Sequence, residues 1–306
     1  MSDTNDVLII GAGPAGLSAA IYTGRARLET LVCERATPGG QILLTDFIEN
    51  YPGFAEGVSP IKIMEDIRKQ AERFGAEIVT DDIQEIRKQE SDWLIIGNRR
   101  EYRSRAVLVA TGSDHRKLGV EGEKELTGRG VSYCATCDAA FFQDKTVAVV
   151  GGGNWALTEA LFLTRFCKEV KIIHRRDQFR AEKILQERVS KNPKIEVLWD
   201  TVVEKIAGEA RLESLSLRDV RSDAPSQLSL DGLFISIGTI PNTKIMGDMV
   251  NKNEWGEVKV GKNMATGVPG LYAAGDVTDA CPEQMATAVG TGVTAALAIT
   301  EYLSEY

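Results

Sequence analysis

The sequence has no long hydrophobic run. None of its apolar stretches approaches the roughly 18 residues of a membrane span, and the apolar run at residues 7–10 is too short for a secretion signal. We therefore expect a cytoplasmic protein with no membrane partner. The net charge of −8 disfavours a general surface for nucleic acid or anionic lipid, so no nucleic-acid partner is predicted.

Histidine and cysteine are scarce, which limits metal chemistry. The histidines are His115 and His174, and among five cysteines only Cys134 and Cys137 are closely spaced. A structural zinc site needs about four ligands, so no metal site is predicted. In a reducing compartment such a cysteine pair indicates redox or metal chemistry and not a structural crosslink.

The other three cysteines are expected to be structural. Cys33 ends a predicted core strand, Cys167 is predicted late in an apolar helix, and Cys281 is predicted in a loop. A free buried cysteine usually behaves as a small hydrophobic residue. We assign these three no chemistry.

The remaining composition is that of an ordinary globular protein. Hydrophobic residues make up 43% of the chain and charged residues 26%, which does not suggest disorder. The length of 306 residues leaves room for about two domains and a sizeable core.

A strand–turn–helix pattern opens the chain. An apolar strand at 6–10 leads into the glycine-rich turn at 11–16, and an amphipathic helix follows. Such a turn lets backbone approach a pyrophosphate, and the N–H groups at the helix start attract phosphate. An acid at the end of the next strand would accept hydrogen bonds from an adenosine ribose. The predicted residues of this site are Gly11, Gly13, Pro14, Ala15, Gly16 and Glu34.

The same pattern occurs a second time. A strand at 145–150 leads into a turn at 151–156 and a helix, and the next strand ends at His174. In both copies 23 positions separate the first glycine from the end of the second strand. This repeat predicts an α/β fold with two Rossmann-like dinucleotide-binding domains. The predicted residues of the second turn are Gly151, Gly153, Asn154 and Ala156.

The two copies differ at the strand end. Where the first has an acid, the second has His174, Arg175 and Arg176, followed by Arg180. An acid favours a free 2′-hydroxyl, whereas an arginine cluster favours a 2′-phosphate. The second site is therefore predicted to prefer NADPH over NADH. The alternative is a solvated basic strand end, which is common on protein surfaces.

The closely spaced cysteines lie just before the second copy, in the segment Cys134-Ala135-Thr136-Cys137. Cysteines at i and i+3 can close a small disulfide ring at the start of a helical turn. The positive end of the helix lowers the pKa of the thiol there, and the thiolate is the reactive species. A zinc site and an inert buried pair are the alternatives; the shortage of ligands counts against zinc.

Taken together, these motifs resemble the low-molecular-weight thioredoxin reductases over essentially the whole chain. The most specific matches are the segments 134–138 and 174–183. The resemblance implies further flavin-binding positions in the segments 39–41, 49–53, 110–112, 275–276 and 284–286. The residues carried over are Gly40, Gln41, Asn50, Thr111, Gly112, Gly275, Asp276, Gln284, Met285 and Ala286.

The resemblance also implies an architecture. A FAD-binding domain is split between residues 1–112 and 245–306, and an NADPH-binding domain at 113–244, carrying the dithiol, is inserted into it. The family is homodimeric, so a homodimer is implied as well.

The implied reaction is the reduction of thioredoxin. NADPH reduces FAD, FAD reduces the Cys134–Cys137 disulfide, and the dithiol reduces thioredoxin by thiol–disulfide exchange through a transient mixed disulfide. Asp138 would act as the general acid that protonates a departing thiolate. Its alternative is a helix N-cap, a position that Asp often occupies.

Two positions depart from the family pattern. Trp155 replaces a small residue near the second pyrophosphate turn, and Ala139 stands where glycine is frequent. Weakened NADPH use would favour a non-catalytic flavin sensor. Within the superfamily, the rivals are a dithiol oxidase, which tends to lose the NADPH arginines retained here, and a peroxiredoxin-linked reductase.

The first prediction concerns Cys134→Ser. The variant cannot form the redox disulfide, so NADPH should still bleach the flavin while thioredoxin reduction stops. Flavin absorbance and steady-state turnover measure the two steps. Normal thioredoxin turnover by this variant would show that the dithiol assignment is wrong.

Overall fold

The computed structural model describes residues 4–44, 47–48, 50–280 and 282–305, without the side chains of residues 44 and 137. The chain forms two compact units. The first contains the residues up to Asp114 and those from Ile240 onward, and the second contains His115–Thr239.

Strands and helices alternate around the two glycine turns, and elsewhere several strands follow one another directly. Before the second unit they are β1 (Thr4–Ile10), α1 (Pro14–Arg25), β2 (Thr30–Glu34), α2 (Pro60–Arg73), β3 (Glu77–Thr80), β4 (Ile83–Lys88), β5 (Trp93–Gly97), β6 (Glu101–Val109) and β7 (Ser113–His115). The second unit contains α3 (Glu123–Leu126), β8 (Val131–Ser132), α4 (Ala135–Asp138), β9 (Thr146–Val150), α5 (Asn154–Leu163), β10 (Glu169–Ile173), α6 (Lys183–Ser190), β11 (Ile195–Leu198), β12 (Thr201–Ala207), β13 (Ser214–Asp219), β14 (Pro225–Ser229) and β15 (Gly232–Ile235). The chain returns through β16 (Thr239–Pro241) to β17 (Leu271–Ala273) and α7 (Met285–Ser304). Short 3₁₀ turns lie at Gly40–Leu44, Ala139–Phe142 and Lys244–Met246.

The first unit is built on a sheet with the strand order β3-β2-β1-β6-β5-β4, and β17 also pairs with β6. Its strands β3, β2, β1, β6 and β17 pair in parallel, and β5 pairs antiparallel with both β6 and β4. Val7 and Ile9 pack into one apolar cluster with residues of α1 and α7, and Leu8 and Ile10 pack into another on the opposite face. Because both faces are covered, the strand is a continuous apolar run.

The second unit repeats this plan. Its parallel sheet has the order β11-β10-β9-β15-β8, and an antiparallel sheet β12-β13-β14 accompanies it. Val147 and Val149 of β9 pack in the same cluster as residues of α5, while Ala148 and Val150 face the other side. In each unit a helix leaves the central strand at the carboxyl edge of the sheet, where Rossmann-type folds bind ligands. The predicted α/β fold class is confirmed.

The boundaries between the units lie at Asp114/His115 and Thr239/Ile240, whereas the sequence prediction put them after residues 112 and 244. The nucleotide assigned to each unit stays a prediction. Among the described helices, none combines the length and apolar character needed to cross a membrane.

The placement of one cysteine was wrong. Cys167 does not lie in a helix, because α5 ends at Leu163 and the chain then turns. The Arg165 and Phe166 amides donate at i−3 spacing, to the Phe162 and Leu163 carbonyls, and the Cys167 amide then closes the turn on the Leu163 carbonyl at 2.8 Å. Cys167 is nevertheless buried and free, as is Cys33 in β2, while Cys281 lies outside the described residues.

The packing of α7 on α1 gives the second prediction. A β-carbon at Gly292 would collide with the Ala15 carbonyl oxygen, whereas one at Gly290 meets no atom within 4 Å. Gly292→Ala should therefore lower the free energy of unfolding by about 1–3 kcal/mol through overpacking. The control Gly290→Ala, in the same helix, should raise it by up to about 1 kcal/mol. Equal effects of the two variants in urea unfolding would contradict this packing.

Candidate active site

The first glycine turn has the geometry of a phosphate-binding turn. Gly11 has φ +104° and a β-carbon there would collide with the Ala110 carbonyl oxygen; one at Gly16 would collide with the Gly11 carbonyl oxygen. Gly13 is the extended N-cap of α1 and makes no side-chain cap, and Pro14 is the first helical residue. The N–H groups at the helix start therefore have no side-chain acceptor and face a site into which backbone can approach closely.

The second turn repeats this geometry. Gly151 has φ +153° and a β-carbon there would collide with the Ser236 carbonyl oxygen. Gly153 is the extended, uncapped N-cap of α5, and a β-carbon at this residue would point into open space. Ala156 takes the position of the third glycine and is fully buried. Both turns thus fit a pyrophosphate.

Residues far apart in the sequence meet around the start of α1. A β-carbon at Gly40 would lie 3.0 Å from the Gly13 Cα, and one at Gly275 would lie 3.0 Å from the Ala15 Cβ. Elsewhere in the first unit, the Gln284 side-chain oxygen accepts a 3.0 Å hydrogen bond from the Asn50 side chain, 234 positions away. The structure thus brings predicted flavin residues into contact within each of these two groups.

The other predicted flavin residues have these surroundings. The Thr111 hydroxyl donates to the Asn242 carbonyl at 2.8 Å, and the Asn242 amide donates to the Gly112 carbonyl at 2.9 Å. The Gln41 side chain donates to the Ser113 carbonyl. Met285 is the buried first residue of α7, which has no side-chain cap, and Ala286 is exposed. Glu49 of the predicted 49–53 segment lies outside the described residues.

Glu34 fixes the first turn. Its carboxylate accepts hydrogen bonds from the Ala12 amide at 2.8 Å and the Ala36 amide at 3.0 Å. A carboxylate has about four acceptor positions, so two remain for further donors. The predicted contact with a ribose stays a prediction.

Asp276 is a carboxyl group without a donor. Among the described residues none donates a hydrogen bond to it, and burial, with a smaller contribution from Glu283, raises its pKa to about 6. A ligand that offers hydroxyl groups would supply the missing donors. This is the observation by which the first unit fits a flavin nucleotide.

The predicted arginine cluster lies on an anchored loop. Arg175, Arg176 and Arg180 are exposed, and the Arg180 amide donates to the Gly152 carbonyl at 2.8 Å. Asn154 donates to the Glu182 carboxylate at 2.9 Å and accepts from the Glu182 amide at 2.7 Å. The Asn154 side chain therefore ties the loop to the turn, a function that its motif position did not indicate.

His174 is a packing residue beneath the turn. It is buried, and a β-carbon at Gly152 would collide with its ring. Burial lowers the pKa of His174, and the neighbouring arginines lower it further. Its Nε2 lies 3.1 Å from the Gln178 carbonyl oxygen, which can only accept, so Nε2 carries the proton. The ring supports the cluster as a neutral group.

Sequence reasoning missed Arg221. It lies between β13 and β14 and pairs with Asp177 at 2.7 Å and with Asp200 at 2.9 Å. The Asp200 amide in turn donates to the Arg176 carbonyl. Arg221 thus holds two carboxylates at the edge of the arginine cluster. No motif spacing marks such a residue 41 positions beyond Arg180.

The dithiol segment begins a short helix, as expected. Cys134 is disulfide-bonded and only 8% exposed, and it directly precedes α4. Its amide donates to the Ser132 hydroxyl at 3.0 Å, and its sulfur lies 3.3 Å from the Thr136 hydroxyl. Cys137 lies within α4, and its side chain is outside the described part.

Asp138 ends α4. It stands at the N-cap position of the following 3₁₀ turn but makes no side-chain hydrogen bond that caps this turn. Its function as a general acid stays a prediction. Ala139, at the position where glycine is frequent, is buried in the turn without positive φ.

A second group that sequence reasoning missed lies beneath the dithiol. The buried Glu159 of α5 accepts a 2.9 Å hydrogen bond from the Ala135 amide and another from the Ser236 hydroxyl. Burial raises the pKa of its carboxyl group to about 7. In the sequence it was one of several polar residues in the predicted helix, with nothing to mark it as buried.

Trp155 leaves the second turn intact. Its half-exposed indole lies beside His115, with ring centroids 6.5 Å apart, and His115 stacks on Tyr133 at 6.2 Å. The turn backbone keeps the same extended N-cap as the first copy.

Within the described ranges no cluster of three or more His, Cys, Asp or Glu side chains is arranged to hold a metal ion.

The third prediction follows from Asp276. Because its folded-state pKa of about 6 lies above the value of about 3.9 in unfolded chains, its carboxyl ionises first in the unfolded state. Its contribution to stability is thus lost as the pH rises from about 4 to about 6, and stays lost above. Between about pH 4 and pH 6, the melting temperature of the Asp276→Asn apoprotein should therefore fall less than that of the wild-type apoprotein.

Glu283→Gln, which removes only the smaller cause, should give a weaker effect. Identical pH profiles for wild type and Asp276→Asn would contradict the buried, unpaired state of Asp276.

Known proteins resemble this chain over nearly its whole length. The family model for pyridine nucleotide-disulphide oxidoreductases matches residues 5–292. A thioredoxin reductase of Streptomyces clavuligerus is 45% identical over 99% of this chain and 95% of its own length, and one of Bacillus subtilis is 44% identical over 98% and 95%.

Solved structures show the same likeness. The thioredoxin reductase of Lactococcus lactis, in a form called the FR conformation, matches with a TM-score of 0.93 and 38% identity over 99% of this chain and 100% of its own. That of T. acidophilum matches with a TM-score of 0.89 and 32% identity over 97% and 98%. The resemblance found in the sequence is confirmed: the chain belongs to the pyridine nucleotide-disulphide oxidoreductase family, alongside these thioredoxin reductases.

Proposed function

We propose that the chain is an NADPH-dependent, FAD-containing thioredoxin-disulfide reductase. The main support for this proposal is that two glycine turns lead into helices without side-chain caps, and that a disulfide-bonded cysteine directly precedes α4. The relatives named thioredoxin reductase, which align over nearly the whole chain, support thioredoxin as the substrate.

FAD would be held by the first unit. The turn at Gly11–Gly16 would receive its pyrophosphate, Glu34 its adenosine ribose, and Asp276 its hydroxyl groups. The convergence of Gly40 and Gly275 on the start of α1 supports this assignment. The remaining positions assigned to FAD are Gln41, Asn50, Thr111, Gly112, Gln284, Met285 and Ala286.

NADPH would be held by the second unit. The turn at Gly151–Ala156 would receive its pyrophosphate, and the exposed Arg175, Arg176 and Arg180 its 2′-phosphate. Guanidinium groups bind phosphate oxygens through paired hydrogen bonds, so an anchored loop of three arginines is well suited to a phosphomonoester.

The two bound cofactors supply an electron pair to the dithiol site. The Cys134–Cys137 disulfide takes up two electrons and two protons and becomes a dithiol. One thiolate then attacks a sulfur of the partner's disulfide, forming a mixed disulfide and releasing the other partner sulfur as a thiolate. The second cysteine of the pair displaces the remaining partner sulfur and restores the disulfide. Asp138 protonates a departing thiolate.

An apolar side chain beside the dithiol supports protein docking. Phe141 follows α4 and is 72% exposed. Phe141 lies four positions after Cys137 in the sequence, and exposed aromatic side chains of this kind are enriched at protein interfaces. The encounter is transient, with an interface below about 1,200 Å².

The chain is also proposed to act as a homodimer in the cytoplasm. Three large apolar side chains of the first unit, on α1, α2 and α7, are exposed: Tyr22, Ile61 and Leu297. The homodimer is carried over from the thioredoxin reductases that the chain resembles, and these exposed side chains are available for such a contact. A dithiol that must be reduced in each catalytic cycle fits a reducing compartment.

The fourth prediction tests nucleotide choice. Arg176→Ala should lower kcat/KM for NADPH about tenfold to a hundredfold, because a charge-assisted phosphate contact is lost, and should leave the slower reaction with NADH unchanged. Thioredoxin reduction measured with each nucleotide provides both values. Arg188→Ala, an exposed arginine on α6, is the matched control and should change neither.

Wild-type enzyme that reduces thioredoxin equally well with NADH would contradict the arginine assignment. No flavin reduction by NADPH within seconds would instead favour the redox sensor. Rates with NADPH and DTNB, with and without thioredoxin, test the dithiol oxidase and the peroxiredoxin-linked reductase.

A further inference from the structure

One buried acid connects the two chemical sites of the second unit. Glu159 lies on α5, the helix that begins at the second glycine turn, and is only 5% exposed. Its carboxylate accepts hydrogen bonds from the Ala135 amide, at 2.9 Å, and from the Ser236 hydroxyl at the end of β15. The Ala135 amide belongs to the peptide bond that joins it to Cys134. Glu159 therefore binds the backbone directly next to Cys134.

No compensating charge faces this carboxyl group. Among the described residues, its neighbours from α4 and β15 are an amide N–H and a hydroxyl, and only burial and these two hydrogen bonds act on its ionisation. No cation therefore pairs with it when it ionises. Its carboxyl pKa of about 7 means that both forms are present near neutral pH.

A buried negative charge next to a cysteine pair opposes the formation of a thiolate, because like charges repel strongly where water is excluded. Only the reduced dithiol can ionise, so ionisation stabilises the dithiol relative to the disulfide. When the cysteines ionise less readily, this stabilisation is smaller. The equilibrium between disulfide and dithiol therefore shifts toward the disulfide, and the dithiol becomes a stronger reductant.

We propose that Glu159 is a positioning residue that holds the Cys134–Ala135 peptide in place, and that its negative charge makes the dithiol less acidic and more strongly reducing. The inference rests on the proposed function of Cys134 and Cys137 as the redox pair. The half-reaction remains the uptake of two electrons and two protons by one disulfide.

The test is Glu159→Gln in the holoenzyme. Glutamine keeps an acceptor for Ala135 and a partner for Ser236 but removes the charge. At pH 8.5, where the wild-type Glu159 carboxyl is almost fully ionised, equilibration with dithiothreitol buffers should show a dithiol-to-disulfide ratio about three to ten times that of the wild type. At 29.6 mV per tenfold, this is a rise of about 14–30 mV in midpoint potential.

A second readout is the pH profile of alkylation of the chemically reduced enzyme by iodoacetamide, followed by mass spectrometry of the peptide that contains Cys134. Its midpoint should move to lower pH in Glu159→Gln. The control Glu187→Gln removes an equal charge from the exposed face of α6 and should leave both readouts unchanged. A purely structural function of Glu159 would not lower this midpoint.

Ser236→Ala is the second variant, used if Glu159→Gln does not fold. It keeps the hydrogen bond from the Ala135 amide to Glu159 and removes the hydroxyl that favours the ionised carboxylate. The dithiol-to-disulfide ratio should therefore rise by a smaller factor, about twofold, and the midpoint potential should rise accordingly. A potential and alkylation profile equal to wild type in the folded variant would overturn the proposal. Both readouts use neither nucleotide nor thioredoxin, so a chain that fails to reduce thioredoxin could still show the shift.

Discussion

The rest of the structure depends on one constraint, which occurs twice in the chain. It is the close contact between the end of a strand and the helix that follows it. At Gly11 and Gly151 only a missing side chain lets the turn pass the carbonyl of a neighbouring strand, at Ala110 and Ser236 respectively. Each helix then begins on an extended glycine with no side-chain cap. The consequence is two helix starts whose amides are available to phosphate.

The groups that we propose to distinguish one nucleotide from the other are connected to these turns by hydrogen bonds. Glu34 binds the Ala12 amide in the first unit, and Asn154 holds Glu182, at the end of the arginine loop, in the second. The helix that starts at the second turn also carries Glu159, which binds the backbone next to Cys134. The proposed NADPH site and the dithiol segment of the second unit thus share one helix, α5.

The sequence predicted what local patterns determine. The strands and helices around both turns, and the helical start after Cys134, follow from apolar periodicity and glycine spacing. Glu159 and Arg221 could not be found in this way, because their importance comes from contacts with residues distant in sequence. The contact between Asn50 and Gln284 spans 234 positions, and only the folded chain reveals it. The misplacement of Cys167 arose because an apolar pattern continues past the point where the hydrogen bonds tighten and the helix ends.

The central claim is that an electron pair from NADPH ends on the cysteine pair at positions 134 and 137. Its most direct measurement is an anaerobic titration of the FAD-loaded protein with NADPH, followed by alkylation and mass spectrometry of the peptide that holds both cysteines. The account predicts that full reduction consumes about two NADPH for each FAD, one electron pair for the flavin and one for the disulfide, and leaves about two alkylated thiols in that peptide, with Cys33 and Cys167 unaffected by the titration. A flavin that is reduced while that peptide keeps its disulfide would contradict it.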